Sequence, residues 1–278
     1  MILVLGGTGT TGRLVARKLA DRAHPLRVAA RRPPAEGVRF DWYAPATHAA
    51  ALAGVRAAYV IAPPGVPDPE PIVVPFLERA REAGVTRVVL LSSSAIAAGA
   101  AGLGRIHARL GEILPEWAVL RPSWFMENLV GDHPHGVSAR DDGEIVSATG
   151  TGRVAFIDPG DIAEVAVRAL TDPEPHNTDH VLTGPEPLSY ADVAALMTVH
   201  YGRRIRHRAV TAADLATRLA ASDIPEAFAH LLASLDVAIA AGAEDRVTDT
   251  VERITGRPPR SLRDFLAARP PDKARAPA

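Results

Sequence analysis

The chain has 278 residues, of which 47% are hydrophobic and 23% are charged, and its formal net charge at pH 7 is −1. It contains no cysteine, which excludes a disulfide-stapled secreted domain, a thiolate zinc site and a thiol nucleophile. The near-neutral charge argues against a broad nucleic-acid footprint and against an electrostatic membrane anchor. The composition therefore indicates a folded protein that acts on a small molecule.

The only apolar run at the start of the sequence, residues 1–5, is far shorter than the roughly 20 residues that span a bilayer and lacks a basic leader. We therefore expect a cytoplasmic protein without a membrane partner.

Short apolar runs alternate with amphipathic stretches through the first half of the chain, a pattern typical of strands and helices that follow one another. The predicted strands are Ile2–Leu5, Leu26–Ala30, Ala57–Ile61, Arg87–Leu91 and Trp117–Leu120. The predicted helices are Gly12–Arg22, Pro71–Ala83 and Ile106–Leu114. Strand–helix–strand repetition predicts an α/β fold with a parallel, doubly wound sheet of the Rossmann type.

The pattern becomes irregular after Pro122, where Pro- and Gly-rich connections separate the predicted elements. Further helices are predicted near Asp161–Leu170, Tyr190–Tyr201, Ala212–Ala221 and Pro225–Ala241. We expect a Rossmann core over residues 1–122 and a smaller, mostly helical lobe over 123–268 that binds the substrate and returns partly to the core. Residues 269–278 are predicted to be a disordered tail.

A glycine-rich turn directly follows the first strand and opens the first helix. Its glycines permit close approach of the backbone to a pyrophosphate, while free N–H groups at the helix start face the anion. An ordinary glycine turn is the alternative, but the strand–turn–helix context favours a dinucleotide site. The residues expected to bind the cofactor here are Gly6, Thr8, Gly9, Thr10, Thr11 and Gly12.

The end of the second strand indicates which dinucleotide is bound. An Asp or Glu there would bind the ribose 2′-hydroxyl of NAD, whereas this chain has Arg31 and Arg32, which suit a 2′-phosphate. NADPH is therefore predicted, with a solvated basic turn as the alternative interpretation of the two arginines. Asp41, which follows Phe40, is expected to reach the adenine amino group.

Several further motifs occur downstream: Ser92-Ser-Ser94, Leu120-Arg-Pro-Ser-Trp-Phe-Met-Glu-Asn128, Asp158-Pro-Gly-Asp-Ile-Ala163, Leu182-Thr-Gly-Pro-Glu186 and Thr255-Gly-Arg-Pro-Pro-Arg260. With the glycine turn, they resemble the NmrA-like atypical short-chain dehydrogenases/reductases over nearly the whole chain. The segment that ends at Asn128 is also similar to the iminium reductases of ergot alkaloid pathways.

The resemblance implies further site residues. It places Ala62, Pro63 and Pro64 along the cofactor ribose, and it places Ser92, Pro122, Ser123, Trp124 and Phe125 in contact with the cofactor. It also places Ser93 and Ser94 where catalytic serine hydroxyls occur. Local hydrogen bonding at a strand end is the alternative role of these two serines.

The short-chain reductases ordinarily use a tyrosine as proton donor and a lysine four residues later. Alignment on Glu112 puts Gly104 and Ala108 at those positions, so both groups are missing. His107, on the same helix, is a candidate replacement acid because imidazole titrates near neutral pH. A helix histidine that merely packs against its neighbours is the alternative.

These observations predict an NADPH-dependent, monomeric reductase of a polycyclic or aromatic specialised metabolite. A polyketide-type ketone of antibiotic biosynthesis, protonated by its own phenol, is favoured over a cyclic iminium, which needs no proton donor. A non-catalytic NADP-binding redox sensor is the alternative from another class. No metal is expected, since His133 and His135 lack a third placed ligand.

Overall fold

Strands and helices alternate along the chain. The structure, a computed structural model, describes residues 1–222 and 224–271. The strands are β1 (Ile2–Leu5), β2 (Leu26–Ala30), β3 (Val38–Arg39), β4 (Ala57–Ile61), β5 (Arg87–Leu91), β6 (Glu116–Pro122), β7 (Glu144–Ser147), β8 (Arg153–Val154), β9 (Thr178–Leu182), β10 (Leu188–Ser189) and β11 (Arg206–Ala209). The helices are α1 (Thr10–Asp21), α2 (His48–Leu52), α3 (Glu70–Glu82), α4 (Leu103–Ile113), α5 (Pro134–Asp142), α6 (Pro159–Thr171), α7 (Tyr190–Tyr201), α8 (Ala212–Ala220), α9 (Glu226–Ala240), α10 (Thr250–Thr255) and α11 (Leu262–Ala267).

Seven strands form one sheet in the order β3-β2-β1-β4-β5-β6-β9, and every neighbouring pair is parallel. The strand order reverses between β1 and β4, which marks the switch point of a doubly wound sheet. The predicted α/β fold of the Rossmann type is confirmed. The connections place the carboxyl ends of all seven strands at one edge, where ligands of such folds bind.

The central strands are apolar throughout because both faces of the sheet are covered. All four residues of β1 are buried, as are the first four residues of β4. Helices α1 and α6 pack against each other, whereas α3 and α4 contribute to a second layer with residues such as Leu3, Leu90 and Phe76 in its core. Among the described residues, no helix is both long and apolar enough to cross a membrane.

The chain divides into two compact units. The first contains Met1–Pro122, Pro159–Leu182 and Thr250–Arg257, so α6, β9 and α10 belong with the strands that precede them. The second contains Ser123–Asp158, residues 183–249 apart from residue 223, and residues 258–271. We refer to them as the first and the second unit.

The second unit contains two small sheets and five helices among its described residues. β7 and β11 pair in parallel, and β8 and β10 pair antiparallel. Its core includes Phe156, Tyr190 and Phe265, each at most 1% exposed.

The predicted disordered tail starts at Arg269, but that residue is ordered. The Arg269 guanidinium lies 3.7 Å from the centre of the Phe265 ring and donates a hydrogen bond of 2.8 Å to Glu127 Oε2. A cation–π contact and an ion pair together explain why the ordered chain continues past α11. Residues 272–278 of the predicted tail lie outside the described residues.

A cluster of charges around Glu164 holds the first unit together. The Glu164 side chain is 8% exposed and forms ion pairs with Lys18 at 2.9 Å, with Arg257 at 3.4 Å and with Arg22. Burial pushes the pKa of Glu164 upwards, but the hydrogen bonds and charges of Lys18 and Arg22 outweigh it and hold that pKa below its ordinary value. The cluster joins α1 to α6 and to the chain just after α10.

We expect Glu164→Gln to lower the free energy of unfolding by about 2 kcal/mol at pH 7, because the hydrogen bonds lose their charge. Since the folded-state pKa lies below the unfolded one, wild type keeps its full advantage above pH ~5 and loses it as the pH falls through the folded-state pKa. Urea unfolding at pH 7 and below pH 4 measures the difference. The exposed Glu186→Gln serves as control, and an equal change in both variants would contradict this role of Glu164.

Candidate functional site

A cavity of about 490 Å³ opens at the carboxyl edge of the sheet in the first unit. Segments that follow β1, β2, β3 and β4 contribute its walls, and Leu91 at the end of β5 closes one side. Ten residues predicted from the sequence to bind the cofactor line it: Gly6, Thr8, Gly9, Thr10, Thr11, Arg31, Asp41, Ala62, Pro63 and Pro64. The structure therefore brings together residues that are up to 58 positions apart in the sequence.

The glycine turn has the geometry that an anion site requires. Gly6 has φ +62°, a left-handed conformation that favours glycine, and its carbonyl accepts a hydrogen bond of 2.8 Å from the Gly9 N–H. Gly9 caps α1 and provides no side chain that could accept from the first-turn N–H groups. These donors therefore remain available to a phosphate at the positive end of the helix.

Gly12 supports the turn without lining the cavity. A Cβ at Gly12 would lie 2.3 Å from the Gly6 oxygen and 2.7 Å from the Gly6 carbonyl carbon. Only glycine permits this close packing of α1 against the turn. Tyr59 on β4 holds the first turn of α1 in place, since its hydroxyl donates a hydrogen bond of 3.0 Å to Thr11 Oγ1.

Arg31 and Arg32 follow β2, and both side chains are exposed. Arg31 lines the cavity and Arg32 does not. Within residues 1–222 and 224–271, neither guanidinium has an ion-pair partner, so the Arg31 charge is available to a ligand. This arrangement fits a 2′-phosphate, as the sequence predicts.

Aromatic side chains next to Asp41 form a wall that the sequence analysis missed. Phe40, Trp42 and Tyr43 line the cavity, and Tyr43 is 68% exposed. Asp41 Oδ1 accepts a hydrogen bond of 3.0 Å from the Tyr43 N–H, which fixes this loop. The sequence signal that indicates this wall is the occurrence of three aromatic residues within four positions, in a chain that is only 5% aromatic. Such a wall suits a planar base.

Six further residues predicted to contact the cofactor do not line this cavity: Arg32, Ser92, Pro122, Ser123, Trp124 and Phe125. Pro122 is the buried last residue of β6, and Phe125 forms an isolated bridge to Ile157. The hydroxyls of Ser92 and Ser123 are buried and have no hydrogen-bond partner among the described residues. Because a buried orphan hydroxyl is costly, the Ser92 side chain of the first unit fits a missing polar ligand such as the predicted cofactor.

Ser93 and Ser94 make local contacts at the end of β5. The Ser93 Oγ accepts a hydrogen bond of 3.3 Å from the Ala95 N–H. The Ser94 N–H donates to the Pro122 carbonyl at 2.9 Å, and the Ser94 carbonyl accepts from Arg121 Nη2 at 3.2 Å. Neither serine lines the cavity. The Ser93 contact is local hydrogen bonding at a strand end, these two Ser94 bonds involve its backbone, and the catalytic role of both hydroxyls stays a prediction.

His107 lies on α4, is 6% exposed and does not line the cavity. Its ring is 6.1 Å from the ring of Trp117, and its Nδ1 is buried with no hydrogen-bond partner in the described part of the chain. Burial, assisted by the charge of Arg121, lowers the pKa of His107, although Asp179 opposes the shift. This environment favours the packing role of His107, and its role as the acid is a prediction that mutation tests.

We expect His107→Gln to leave NADPH oxidation and its pH profile nearly unchanged, since this side chain does not line the cavity at the carboxyl edge of the sheet. Steady-state kinetics between pH 5 and pH 9 tests this. The loss of a general acid would instead cost about 10²–10⁴-fold in turnover, and such a loss would restore His107 as the acid.

A second cavity, of about 390 Å³, lies within the second unit. Its walls are mostly apolar and come from α8, α9, the start of α5 and the segment after β6. The lining residues are Trp124, Asn128, His133, Pro134, His135, Leu215, Leu219, Ile224, Phe228, Leu232, Leu235 and Asp236. Its size falls within the range of about 300–1,000 Å³ that small-molecule sites occupy.

His133 and His135 lie at the start of α5. The His133 Nδ1 accepts a hydrogen bond of 3.3 Å from the His135 N–H and caps the helix. Burial lowers the pKa of His133 and lowers that of His135 to about 3. In the described part of the chain, no group of three or more His, Cys, Asp or Glu side chains is arranged to hold a metal ion.

Comparison with known proteins reveals relatives along almost the full length. No family model matches the chain. It is 45% identical over 271 residues to an uncharacterized oxidoreductase, YesF, of Bacillus subtilis, covering 96% of this chain and 94% of the relative. It is 39% identical over 279 residues to the agroclavine dehydrogenase of Claviceps fusiformis, covering 96% of each. The Escherichia coli NADPH-dependent quinone oxidoreductase QOR2, solved with NADPH, has a similar fold, with a TM-score of 0.82 at 23% identity over 96% of this chain and 99% of that one.

The parallel sheet, the glycine turn and the cavity at its carboxyl edge define a Rossmann-type α/β protein. With relatives of this identity and coverage, the chain belongs to the NmrA-like atypical short-chain dehydrogenase/reductase family of oxidoreductases. The family predicted from the sequence motifs is thus confirmed.

Proposed function

We propose that the protein is an NADPH-dependent reductase of a polycyclic, alkaloid-type substrate with a cyclic carbon–nitrogen double bond. The observation that carries the proposal is the cavity lined by both the open end of α1 and Arg31, whose charge has no ion-pair partner among the described residues. The 39%-identical relative is named an agroclavine dehydrogenase, which supports an alkaloid-type substrate.

The residues of the first cavity fit NADPH. The N–H groups at the start of α1 would bind the pyrophosphate, Arg31 would bind the 2′-phosphate, and the loop from Phe40 to Tyr43 would hold the adenine. Ala62 and the two following prolines line the same cavity and would contact the ribose. When it is bound, the cofactor supplies the hydride that is added to the substrate carbon.

The absence of the family's tyrosine and lysine favours an iminium over a ketone. A Cβ at Gly104, the position aligned with the catalytic tyrosine, would lie 2.4 Å from the Ala97 oxygen, so α4 has no room for a phenol there. Ala108, aligned with the lysine, is exposed. Hydride addition to C=N⁺ moves the π electrons onto nitrogen as a lone pair and gives a neutral amine. A ketone would become an alkoxide that must be protonated.

A ketone that carries its own phenol is the second candidate. The internal hydrogen bond of such a substrate would replace the tyrosine as proton donor. Action on a polyketide in antibiotic biosynthesis, a cytoplasmic location and a monomeric state stay predictions.

The test measures consumption of NADPH by the full chain with three small substrates: an N-methylated dihydroisoquinolinium salt, tetralone and its peri-hydroxylated derivative. We expect rapid reduction of the iminium, slow reduction of the hydroxyketone and little reduction of tetralone. Faster reduction of the hydroxyketone than of the iminium would favour the polyketide alternative. Tight NADPH binding without turnover of any substrate would indicate a redox sensor.

A further inference from the structure

The second cavity has one acidic side chain in an otherwise apolar wall. Phe228, Leu232, Leu235 and Asp236 line it from α9, at spacings that place them on one face of the helix. Leu215 and Leu219 face it from α8. An ionisable group on the apolar face of a helix is unusual, because burial of a charge without a partner is costly.

The environment of Asp236 leaves the carboxylate without a counter-charge. Asp236 is 7% exposed, and its Oδ2 accepts a hydrogen bond of 2.8 Å from the Ala148 N–H. Within the described parts of the chain, Oδ1 accepts no hydrogen bond and no Lys or Arg pairs with this side chain. The carboxylate is therefore fixed by one backbone donor and keeps its second oxygen for a ligand.

The titratable neighbours of Asp236 are neutral at pH 7. Burial lowers the pKa of His133, His135 and His207, while burial, assisted by the Asp236 charge, raises the pKa of Tyr190. Burial raises the pKa of Asp236 itself to about 6, although the Ala148 N–H opposes the shift. At pH 7 the cavity thus holds a net negative charge that no group among residues 1–222 and 224–271 compensates.

We infer that Asp236 is the specificity-determining residue of a ligand site in the second unit, where its carboxylate binds the cationic nitrogen of a polycyclic amine or iminium. The inference rests on the proposed function for the identity of the ligand as substrate. Trp124 and Phe228 line the same cavity, and an aromatic ring beside a planar cation adds a cation–π attraction to the ion pair. The apolar walls keep water away from the carboxylate and so strengthen its attraction to the cation. A neutral compound of the same shape would leave the buried carboxylate without a partner and therefore binds more weakly.

The opposite role, a protonated Asp236 that donates a hydrogen bond to a ketone oxygen, predicts the reverse pH dependence. Binding of a fixed-charge cation requires the carboxylate, so affinity rises as the pH increases through about 6. Binding of a ketone to the acid form falls over the same range. The two roles are therefore separable by titration.

The experiment titrates the full chain, saturated with NADP⁺, with two fluorescent probes of the same shape. The 2-methyl-β-carbolinium ion, methylated on its pyridine nitrogen, carries a permanent charge. Its neutral isostere is 2-methylcarbazole. We expect the cation to bind wild type at least about tenfold more tightly at pH 7.5, the effect of one hydrogen-bonded charge pair. Asp236→Asn, which keeps an acceptor for the Ala148 N–H, should abolish both the preference and its pH dependence.

Glu226→Gln is the matched control, because it removes the same charge from an exposed site on the same helix. It should bind both probes as wild type does, and melting temperatures should confirm that both variants fold. Equal binding of the two probes by wild type, binding of neither probe, or a cation preference that survives in Asp236→Asn would each overturn the inference.

The outcomes also separate this inference from the proposed function. A cation preference without NADPH consumption would leave Asp236 as a ligand-binding residue of a protein that is not a reductase. Unchanged KM and kcat for the iminium salt in Asp236→Asn would support the proposed reductase activity and contradict the proposed role of Asp236.

Discussion

Arg31→Ala is expected to weaken NADPH binding by about 10- to 100-fold and to leave NADH binding nearly unchanged. A charge-assisted hydrogen bond contributes about 1.5–3 kcal/mol, and each 1.4 kcal/mol is about tenfold in affinity. Arg31 lines the cavity with no ion-pair partner in the described chain, so its charge is available to the 2′-phosphate of the cofactor. Fluorescence titration with each reduced cofactor measures both affinities.

Two arginine variants control for the loss of one positive charge. Arg81 is exposed on α3, away from the cavity lining, and Arg81→Ala should bind both cofactors as wild type does. Arg32→Ala should have a smaller effect than Arg31→Ala, because Arg32 does not line the cavity. Equal weakening of NADPH and NADH by Arg31→Ala would show that Arg31 does not recognise the 2′-phosphate.

Gly12→Ala is expected to lower the free energy of unfolding by about 1–3 kcal/mol, the usual cost of overpacking, and to weaken both cofactors together. The added methyl group would lie 2.3 Å from the Gly6 oxygen. Because this neighbour is backbone, the turn itself must move. The N–H groups at the start of α1 would then no longer converge on one anion. Thermal unfolding and cofactor titration of the same samples measure the two effects.

Gly9→Ala is the graded comparison within the same turn. Its added Cβ would meet only the Gly6 oxygen, at 3.3 Å, and its φ of −83° suits alanine. We expect a smaller loss of stability than for Gly12→Ala. Wild-type stability and affinity in Gly12→Ala would mean that the turn does not depend on this close packing.

The central strands were predictable because burial on both faces leaves continuous apolar runs in the sequence. β1, β2, β4 and β5 agree with their predicted bounds residue for residue. β9 was missed, since three of its five residues, Thr178, Asp179 and His180, are polar and His180 is nevertheless buried. That histidine is accommodated by a hydrogen bond of 2.8 Å to His176, a contact that no local pattern reveals.

The helix ends were less predictable. α4 begins at Leu103, three residues before its predicted start, because Gly102 at φ +70° turns the chain into the helix. α6 begins at Pro159 rather than near Asp161, since proline suits the first helical turn. In both cases local backbone geometry, rather than apolar periodicity, sets the boundary.

The candidate site was predictable where it follows a contiguous motif. The glycine turn and Arg31 are covalently close to strand ends, so their position in the sheet follows from the fold. Asp236 was missed, because segments far apart in the sequence form its cavity. A lone carboxylate among Leu232, Leu235 and Ile239 on α9 was the available signal.

The position of β9 determines where the chain of the first unit can be truncated. β9 pairs with β6 from Ala118 to Pro122 and covers a strand whose centre, Ala118 to Leu120, is buried. A fragment that ends at residue 122 would expose the N–H and C=O groups of β6 as an apolar sheet edge, which promotes strand-to-strand aggregation. The part of the chain that resembles a complete nucleotide-binding module is therefore not separable by truncation, because its edge strand is synthesised only after 55 further residues of chain.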